Sequence, residues 1–350
     1  MTKEVTLVLD PRFPGGTSSA VARELYALSG IARVRVVAIS SNMFKGAADN
    51  PKLTSVFEEL GIIPEVDPVV VTSDTIVLHN PSFLKFNNSL STRFVCNRMI
   101  AVSHENFLRP NGSPGFDVDK CLSLISKNTL ARSHLIAPVS GYNRGTVERW
   151  LDASDTPWKL AEVDWFNICD FETLAPNPKP ADRRGRLSRA GFEKFPDVET
   201  MNMLFPPHAE YCGILGADSF LIGGDAPSHW DLYRFQEIPI EPFLDRIDFF
   251  VYFTHPGLQE SFGRVIPEAV AAGKLVITDS LTAKTFGSAV ISAQPNEVDA
   301  IIAYYIAHPR SYVDHVQKAQ VAITRFSAAQ FSTSIDDFLS KPLEATIDFM

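Results

Sequence analysis

The segment 248–280, DFFVYFTHPGLQESFGRVIPEAVAAGKLVITDS, has two apolar runs of strand length on either side of a helical stretch. The first run ends at Thr254, and the second is LVIT near the end of the segment. This order predicts two parallel strands joined by a crossover helix. Ligands of such sheets bind beyond the carboxyl ends of the strands, where Glu260, Gly263 and Glu268 would lie.

The helix is expected to start at Ser261, so that its free N–H groups and its dipole favour an anion such as phosphate. Glu268 would then lie about two turns inside the helix, and Glu260 in the loop before it. Because a carboxylate can accept protons from two hydroxyl groups, each glutamate suits a diol such as a ribose. Gly263 would let the backbone approach the ligand closely. The alternative without a binding role is that both glutamates lie on a solvated helix face.

Strand-like runs and helical stretches alternate through most of the chain, which predicts parallel sheets with helices on both faces. A first alternation runs to about residue 140, and a second begins near residue 182. Between them, the prolines at 176, 178 and 180 indicate a stiff connection. The predicted domains are 1–165 and 176–325, with a C-terminal helix within 326–350 that packs back toward the first domain.

The composition limits the function classes. The chain has 350 residues, a net charge of −9 and 45% hydrophobic residues, with a mean hydropathy near zero. This indicates a soluble globular protein and disfavours nucleic acid as a partner, since that needs a dense Lys/Arg surface. No apolar run approaches the ~20 residues of a membrane span. The four cysteines lie far apart, as in reduced cytoplasmic proteins. We expect a cytoplasmic protein, with peripheral contact at the inner face of a membrane left open.

The segment 248–280 resembles the donor-binding segment of retaining glycosyltransferases of family GT4, with their Glu-x7-Glu motif. The resemblance implies an α/β protein of the GT-B fold, with two Rossmann-like domains whose parallel sheets face each other across a cleft. It also implies that Glu260 contacts hydroxyl groups of the donor sugar and that Glu268 contacts the ribose of the nucleotide. The backbone implied to meet the diphosphate is that of Ser261, Phe262, Gly263 and Arg264.

The stretch RRGRLSRAGFEKFPD, which opens the second domain, is similar to the Gly-Arg…Lys element of the same family. That similarity implies that Arg186 and Lys194 clamp the donor diphosphate, whose negative charge grows as it departs. The two residues are further apart than in many relatives, so Arg184 or Arg189 remains an alternative second cation. The alternative is a basic surface loop that binds no diphosphate.

The first domain offers weaker motifs. After the first strand, Gly15 and Gly16 permit a tight turn, and Thr17 or Ser18 can cap the following helix. The pattern is not G-x-G-x-x-G, which disfavours a nicotinamide site. It is similar to the family's glycine-rich turn, which faces the donor phosphates and the acceptor.

Two histidines, His79 and His104, end successive strands of the first domain. The family places a histidine near the transferred sugar, which implies that His104 hydrogen-bonds to a donor hydroxyl or to the reacting centre. A structural role, bonded to backbone, is the alternative for both histidines.

The Asp-Val-Asp stretch at 117–119 resembles the metal-binding motif of another glycosyltransferase fold, GT-A. It precedes a helical pattern, so Asp117 or Asp119 is better interpreted as a helix N-cap. We therefore expect no metal site and no cofactor, with a UDP- or GDP-type sugar as substrate.

Together these observations predict a retaining, metal-independent glycosyltransferase with a glycan or lipid-linked acceptor, as in cell-surface polysaccharide synthesis. Two alternatives remain: a nucleotide-sugar epimerase of similar fold, and a non-catalytic sugar-nucleotide binder. The sequence does not identify the base, the sugar or the acceptor.

Overall fold

The computed structural model describes residues 3–224 and 226–342. The chain divides into two compact units. Unit 1 comprises Met1–Ile168 and Phe326–Met350, and unit 2 comprises Cys169–Arg325. The last part of the predicted C-terminal segment, 343–350, lies outside the described residues.

Unit 1 is built on a seven-stranded parallel sheet, counted over the described residues, with the strand order β3-β2-β1-β4-β5-β6-β7. The order reverses between β1 and β4, which are neighbours in the sheet although β2 and β3 separate them in the chain. The elements in chain order are β1 Glu4–Leu9, α1 Gly16–Ser29, β2 Arg33–Ala38, α2 Pro51–Glu59, β3 Glu65–Val66, β4 Val70–His79, β5 Arg93–Ser103, α3 Val118–Lys127, β6 Thr129–Pro138, α4 Gly141–Asp152 and β7 Trp158–Leu160.

The central strands of unit 1 are apolar because helices cover both faces of the sheet. In β1, every residue after Glu4 is buried, and Val8 packs with Val37 of β2 and Leu78 of β4 in the core. The longest strands, β4, β5 and β6, begin several residues before the apolar runs TIVLH at 75–79, MIAVSH at 99–104 and HLIAPVS at 134–140, which predict them. The two short edge strands β3 and β7 were not predicted, because neither has an apolar run of strand length.

Unit 2 repeats the same plan with six strands among its described residues, in the order β10-β9-β8-β11-β12-β13. Its reversal lies between β8 and β11. The elements are β8 Arg183–Leu187, α5 Val198–Leu204, β9 Tyr211–Leu215, α6 Asp218–Gly223, β10 Asp231–Tyr233, α7 Ile240–Leu244, β11 Phe249–Tyr252, α8 Val265–Ala271, β12 Leu275–Thr278, α9 Ser280–Phe286, β13 Ile291–Ser292, α10 Val298–Ala307 and α11 Pro309–Ile323.

The chain ends its described part in unit 1 with helix α12, Ala328–Ser340. Phe331 of α12 is fully buried and makes edge contacts with Trp165 and Phe166. Lys3 forms an ion pair with Asp336 of the same helix. These aromatic contacts and the ion pair fix the helix to the rest of unit 1.

Candidate functional site

The reversal of strand order in unit 2 places two charged residues together. Strands β8 and β11 are parallel neighbours, with Phe250 opposite Gly185. Lys194 follows β8, and Glu260 follows β11, both on the carboxyl side of the sheet. A reversal of this kind opens a crevice at the carboxyl ends, and that is where ligands of such sheets bind.

Lys194, Glu260 and Tyr252 form a charged cluster at this point. The Nζ atom of Lys194 donates to Oε1 of Glu260 at 2.5 Å, and the Tyr252 hydroxyl donates to the same oxygen at 2.8 Å. Burial acts to raise the pKa of Glu260, but the charge of Lys194 and these two hydrogen bonds outweigh it and hold that pKa below its usual value. Burial, followed by the charge of Glu260, raises the pKa of Tyr252 well above its usual value. Glu260 is therefore a carboxylate at neutral pH, with Tyr252 as a permanent donor.

Arg186, on β8, contacts the residues of this cluster from the interior of unit 2. Its side chain is fully buried, and its guanidinium lies 4.2 Å from the ring centroid of Phe195 and 5.1 Å from that of Tyr252. It donates to the backbone carbonyls of Lys194 at 2.5 Å and Phe253 at 2.6 Å. Burial lowers its pKa to about 10, so it stays charged at neutral pH. These contacts favour an indirect role, in which Arg186 holds the backbone of the cluster rather than touching a ligand.

The other predicted cations have different surroundings. Arg184 is buried and forms ion pairs with Asp182 and with Asp299, each at 2.7 Å, so its charge is already compensated within unit 2. Arg189 is exposed and pairs with Glu193 at 2.9 Å. Its charge contributes to the lowered pKa of Glu260. Arg184 and Arg189 were the two alternatives for the second cation of the clamp. Only Arg189 has an exposed side chain that a ligand can reach.

The predicted start of the helix after Glu260 is wrong. Helix α8 begins at Val265, four residues after the predicted Ser261. The reason is Gly263, whose φ of +86° turns the chain in the left-handed region before the helix can form. Glu268 is consequently the fourth residue of α8, about one turn in rather than two.

The loop that presents Glu260 is held by side chains of the next crossover. Gln259 is buried and donates from its amide to the Thr282 hydroxyl at 2.6 Å, and that hydroxyl donates to Asp279 at 2.7 Å. Thr254 donates to the carbonyl of Leu258 at 2.9 Å. These bonds fix the part of the loop that directly precedes the glutamate.

In unit 1, the glycine-rich turn follows β1 at the corresponding reversal. Gly15 is the N-cap of α1, and no side chain caps that helix. The prediction that Thr17 or Ser18 caps it is wrong, because the Ser18 hydroxyl donates back to the carbonyl of Phe13 at 2.7 Å. Helix α1 starts at Gly16, so the second glycine of the predicted turn is already the first residue of the helix.

His79 and His104 lie together at the carboxyl ends of β4 and β5. Nδ1 of His79 is 3.1 Å from Nε2 of His104. On its other side, Nε2 of His79 is 3.3 Å from Oε1 of Glu24, a buried residue of α1. Burial, reinforced by His79, lowers the pKa of His104 well below its usual value, so its imidazole is neutral at neutral pH. His104 is thus an uncharged hydrogen-bonding group.

Comparison with solved structures finds the same architecture. HepE of Anabaena, in complex with UDP and glucose, superposes with a TM-score of 0.63 at 15% identity, covering 97% of this chain and 99% of HepE. An alpha-glucosyltransferase in complex with UDP-glucose and DNA gives 0.57 at 11% identity, covering 97% of this chain and all of its own. The lipopolysaccharide galactosyltransferase WaaB gives 0.57 at 12%, covering 96% and 99%. The chain has the GT-B fold. No protein-family model and no curated protein sequence matches it.

Within the GT-B fold, the described residues include no group of three His, Cys, Asp or Glu side chains that could hold a metal ion. Asp117 caps α3 by accepting from the backbone N–H of Lys120 at 3.1 Å, as the N-cap interpretation predicts. Over the same ranges, none of the helices is long and apolar enough to cross a membrane.

Three side chains that contact these predicted residues or hold their loop were not identified from the sequence: Tyr252, Gln259 and Glu24. Tyr252 lies in a run of aromatic residues and was interpreted only as part of a strand. Gln259 has no pattern that distinguishes it from a loop residue. Glu24 carries a usable signal, because it lies three residues after Val21 and four before Leu28, on the apolar face of α1.

Proposed function

We propose that this protein is a retaining, metal-independent glycosyltransferase of the GT4 type. It transfers a sugar from a UDP- or GDP-sugar to a hydroxyl of a glycan or lipid-linked acceptor, as in cell-surface polysaccharide synthesis. The observation that carries the proposal is the Lys194–Glu260–Tyr252 cluster at the strand reversal of unit 2, with Glu268 eight residues further on. The UDP complexes of HepE and of the alpha-glucosyltransferase support a nucleotide-sugar donor.

In the proposed mechanism, Lys194 moves from Glu260 to the departing diphosphate and neutralises its developing charge. Arg189 supplies the second positive charge, and Arg186 keeps Lys194 in place through its backbone carbonyl. The backbone at Ser261, Phe262, Gly263 and Arg264 meets the diphosphate. An oxygen of the leaving phosphate takes the proton of the acceptor hydroxyl, so that no separate base is needed.

The two glutamates bind the rest of the donor. Both hydrogen bonds to Glu260 use Oε1, so Oε2 is proposed to accept from a hydroxyl of the sugar. Glu268 is proposed to accept from the ribose hydroxyls. His104 is proposed to hydrogen-bond to a donor hydroxyl, and the turn at Gly15, Gly16 and Thr17 to lie near the donor phosphates.

The test is turnover of a panel of UDP- and GDP-sugars, with and without glycan and lipid-linked acceptors. The expected result is release of one nucleotide diphosphate only with an acceptor, and a product whose anomeric configuration, measured by NMR, equals that of the donor. An isomerised sugar formed without acceptor would establish the epimerase instead. Donor binding without consumption would establish the non-catalytic binder.

A further inference from the structure

Tyr252 differs from the aromatic residues around it by its hydroxyl group. Its neighbours Phe249, Phe250 and Phe253 are apolar and lie in the interior of unit 2. A phenol that is only 2% exposed costs free energy unless its hydroxyl has a partner. That partner is Oε1 of Glu260, which accepts from the hydroxyl at 2.8 Å. The polar group of Tyr252 therefore serves Glu260 and not the packing of the core.

The ring of Tyr252 is held on two sides. It stacks on the ring of Phe250, with the centroids 5.9 Å apart and the planes 7° from parallel. The guanidinium of Arg186 lies 5.1 Å from its centroid. The backbone carbonyl of Tyr252 accepts from the Thr278 hydroxyl at 2.6 Å. Because these contacts fix the ring and its backbone, the hydroxyl cannot follow another acceptor over a long distance.

Lys194, the other donor to Oε1 of Glu260, is attached more flexibly. Its ammonium ends a four-carbon side chain, and it is the last residue of the short 3-10 turn Phe192–Lys194. In the proposed mechanism it moves to the diphosphate. Among residues 3–224 and 226–342, Tyr252 is then the remaining side-chain donor to Oε1. Glu260 depends on it at that moment, because a buried carboxylate without a partner is strongly unfavourable.

We propose that Tyr252 is a positioning residue that keeps Glu260 an oriented carboxylate while Lys194 exchanges that carboxylate for the diphosphate of the donor. The exchange rests on the proposed function, whereas the hydrogen bond between Tyr252 and Glu260 does not. Since the retained bond uses Oε1, Oε2 stays directed to a hydroxyl of the sugar. Without the hydroxyl of Tyr252, Glu260 would take up a proton when Lys194 leaves.

The charges around Glu260 agree with this role. Burial raises the pKa of Glu260, whereas Lys194, the hydrogen bond from Tyr252 and the charge of Arg189 lower it. The charge of Arg186 also interacts favourably with this carboxylate. A bound diphosphate adds negative charge, which acts in the same direction as burial. Once Lys194 has moved, the ionisation of Glu260 is therefore sensitive to the hydrogen bond from Tyr252.

Proton uptake during nucleotide binding tests the proposal. UDP and GDP are titrated calorimetrically into the full chain near neutral pH, in two buffers with different enthalpies of ionisation, so that the difference in heat reports the protons taken up. Wild type and Glu260→Gln are expected to take up equal numbers of protons, because Glu260 stays ionised in the wild type. Tyr252→Phe is expected to take up more, and to bind the nucleotide roughly tenfold more weakly. In Tyr252→Phe/Glu260→Gln the additional uptake should disappear, since no carboxylate remains there.

Tyr312→Phe is the matched control. Tyr312 is a second fully buried tyrosine of unit 2, and its hydroxyl donates to the backbone carbonyl of Asp248 at 2.8 Å, just before β11 begins. Both substitutions remove a buried hydrogen bond of the same length, so each should lower stability. Tyr312→Phe should nevertheless keep the nucleotide affinity and the proton uptake of the wild type.

Equal affinity and equal proton uptake in wild type and Tyr252→Phe would overturn the positioning role and leave the proposed function intact. Greater uptake in wild type than in Glu260→Gln would also overturn it, because Glu260 would then be protonated despite Tyr252. That comparison does not require Tyr252→Phe to fold. Failure of both nucleotides to bind the wild type would overturn the proposed function, and the positioning role with it.

Discussion

The two strand reversals have the same topology but differ in the charge of the side chains beside them. In unit 2, the reversal brings together the charges of Lys194 and Glu260, which neutralise each other in the structure described here. In unit 1, His79 ends β4, one of the two strands at the reversal, and His104, whose imidazole is neutral, follows the next strand, β5. The charged cluster suits a diphosphate, which needs a cation, whereas the neutral imidazole of His104 suits hydroxyl groups, which need only a hydrogen-bond partner.

The cost of removing a side chain should therefore differ between the two reversals. A mostly buried ion pair that loses one partner leaves an uncompensated charge behind, which is strongly unfavourable. The loss of a neutral group such as His104 leaves only an unmade hydrogen bond, which costs about 1–3 kcal/mol. The following predictions examine that difference.

The largest effect is expected for Lys194→Met, because it removes the cation proposed to neutralise the leaving diphosphate. We expect kcat to fall by about 10²–10³-fold, as for the loss of one donor to a developing oxyanion. Initial rates of nucleotide diphosphate release provide the measurement. Lys318→Met, at an exposed position of α11, is the matched control and should leave the rate unchanged. A Lys194→Met enzyme with most of its turnover would show that the charged cluster has no part in transfer.

Backbone packing should also distinguish the two units. Gly216, directly after β9, has a φ of +87°, and a Cβ there would lie 2.0 Å from the carbonyl oxygen of Ser188. We expect Gly216→Ala to lower the free energy of unfolding by about 2 kcal/mol or more. Gly16 of unit 1 has open space around it and no positive φ, so Gly16→Ala should change stability by less than about 0.5 kcal/mol. Chemical denaturation measures both, and equal losses would contradict the difference between the two turns.

A smaller effect is expected from the pH dependence of unit 1. Burial and His79 depress the pKa of His104, so the unfolded chain takes up this proton first as the pH falls. The contribution of His104 to stability is therefore complete above pH 6.5 and is lost as the pH falls below it. His79 is the ionisable group whose charge acts on the ring, and Glu24 lies on the far side of His79.

The measurement is the free energy of unfolding at pH 7.5 and pH 5.5 for wild type and His104→Phe. We expect acidification to destabilise the wild type more, by on the order of 1 kcal/mol. His208→Phe, at an exposed position, should retain the wild-type response. Identical pH dependence in wild type and His104→Phe would show that the ring is not held neutral by its surroundings.

Much of the GT-B fold could be predicted from the sequence because strands covered by helices on both faces are nearly continuous apolar runs. The residues that follow those strands, such as Glu260 and His104, could be predicted for the same reason, since the carboxyl ends of parallel strands meet at one edge. The start of α8 was missed because a helical pattern of side chains continues through Gly263, and only the backbone angle there shows that the helix has not begun.

The buried environment of Arg186 could not be predicted, because it depends on contacts with Phe195 and Tyr252, which are distant in the sequence or follow a loop. An arginine next to a glycine at a strand end has the same local sequence whether it faces a ligand or the core. The link between Glu24 and His79 likewise depends on the packing of α1 against the sheet. Such pairings follow from tertiary structure, which local patterns do not encode.

The central claim is that the reversal in unit 2 binds a nucleotide, and calorimetric titration tests it most directly. UDP, GDP and CMP would each be titrated into wild type and Glu268→Ala, with and without EDTA. We predict that one of UDP and GDP binds, that EDTA has no effect, and that Glu268→Ala weakens binding about tenfold through the lost ribose hydrogen bonds. Failure of all three nucleotides to bind at millimolar concentration would contradict the account.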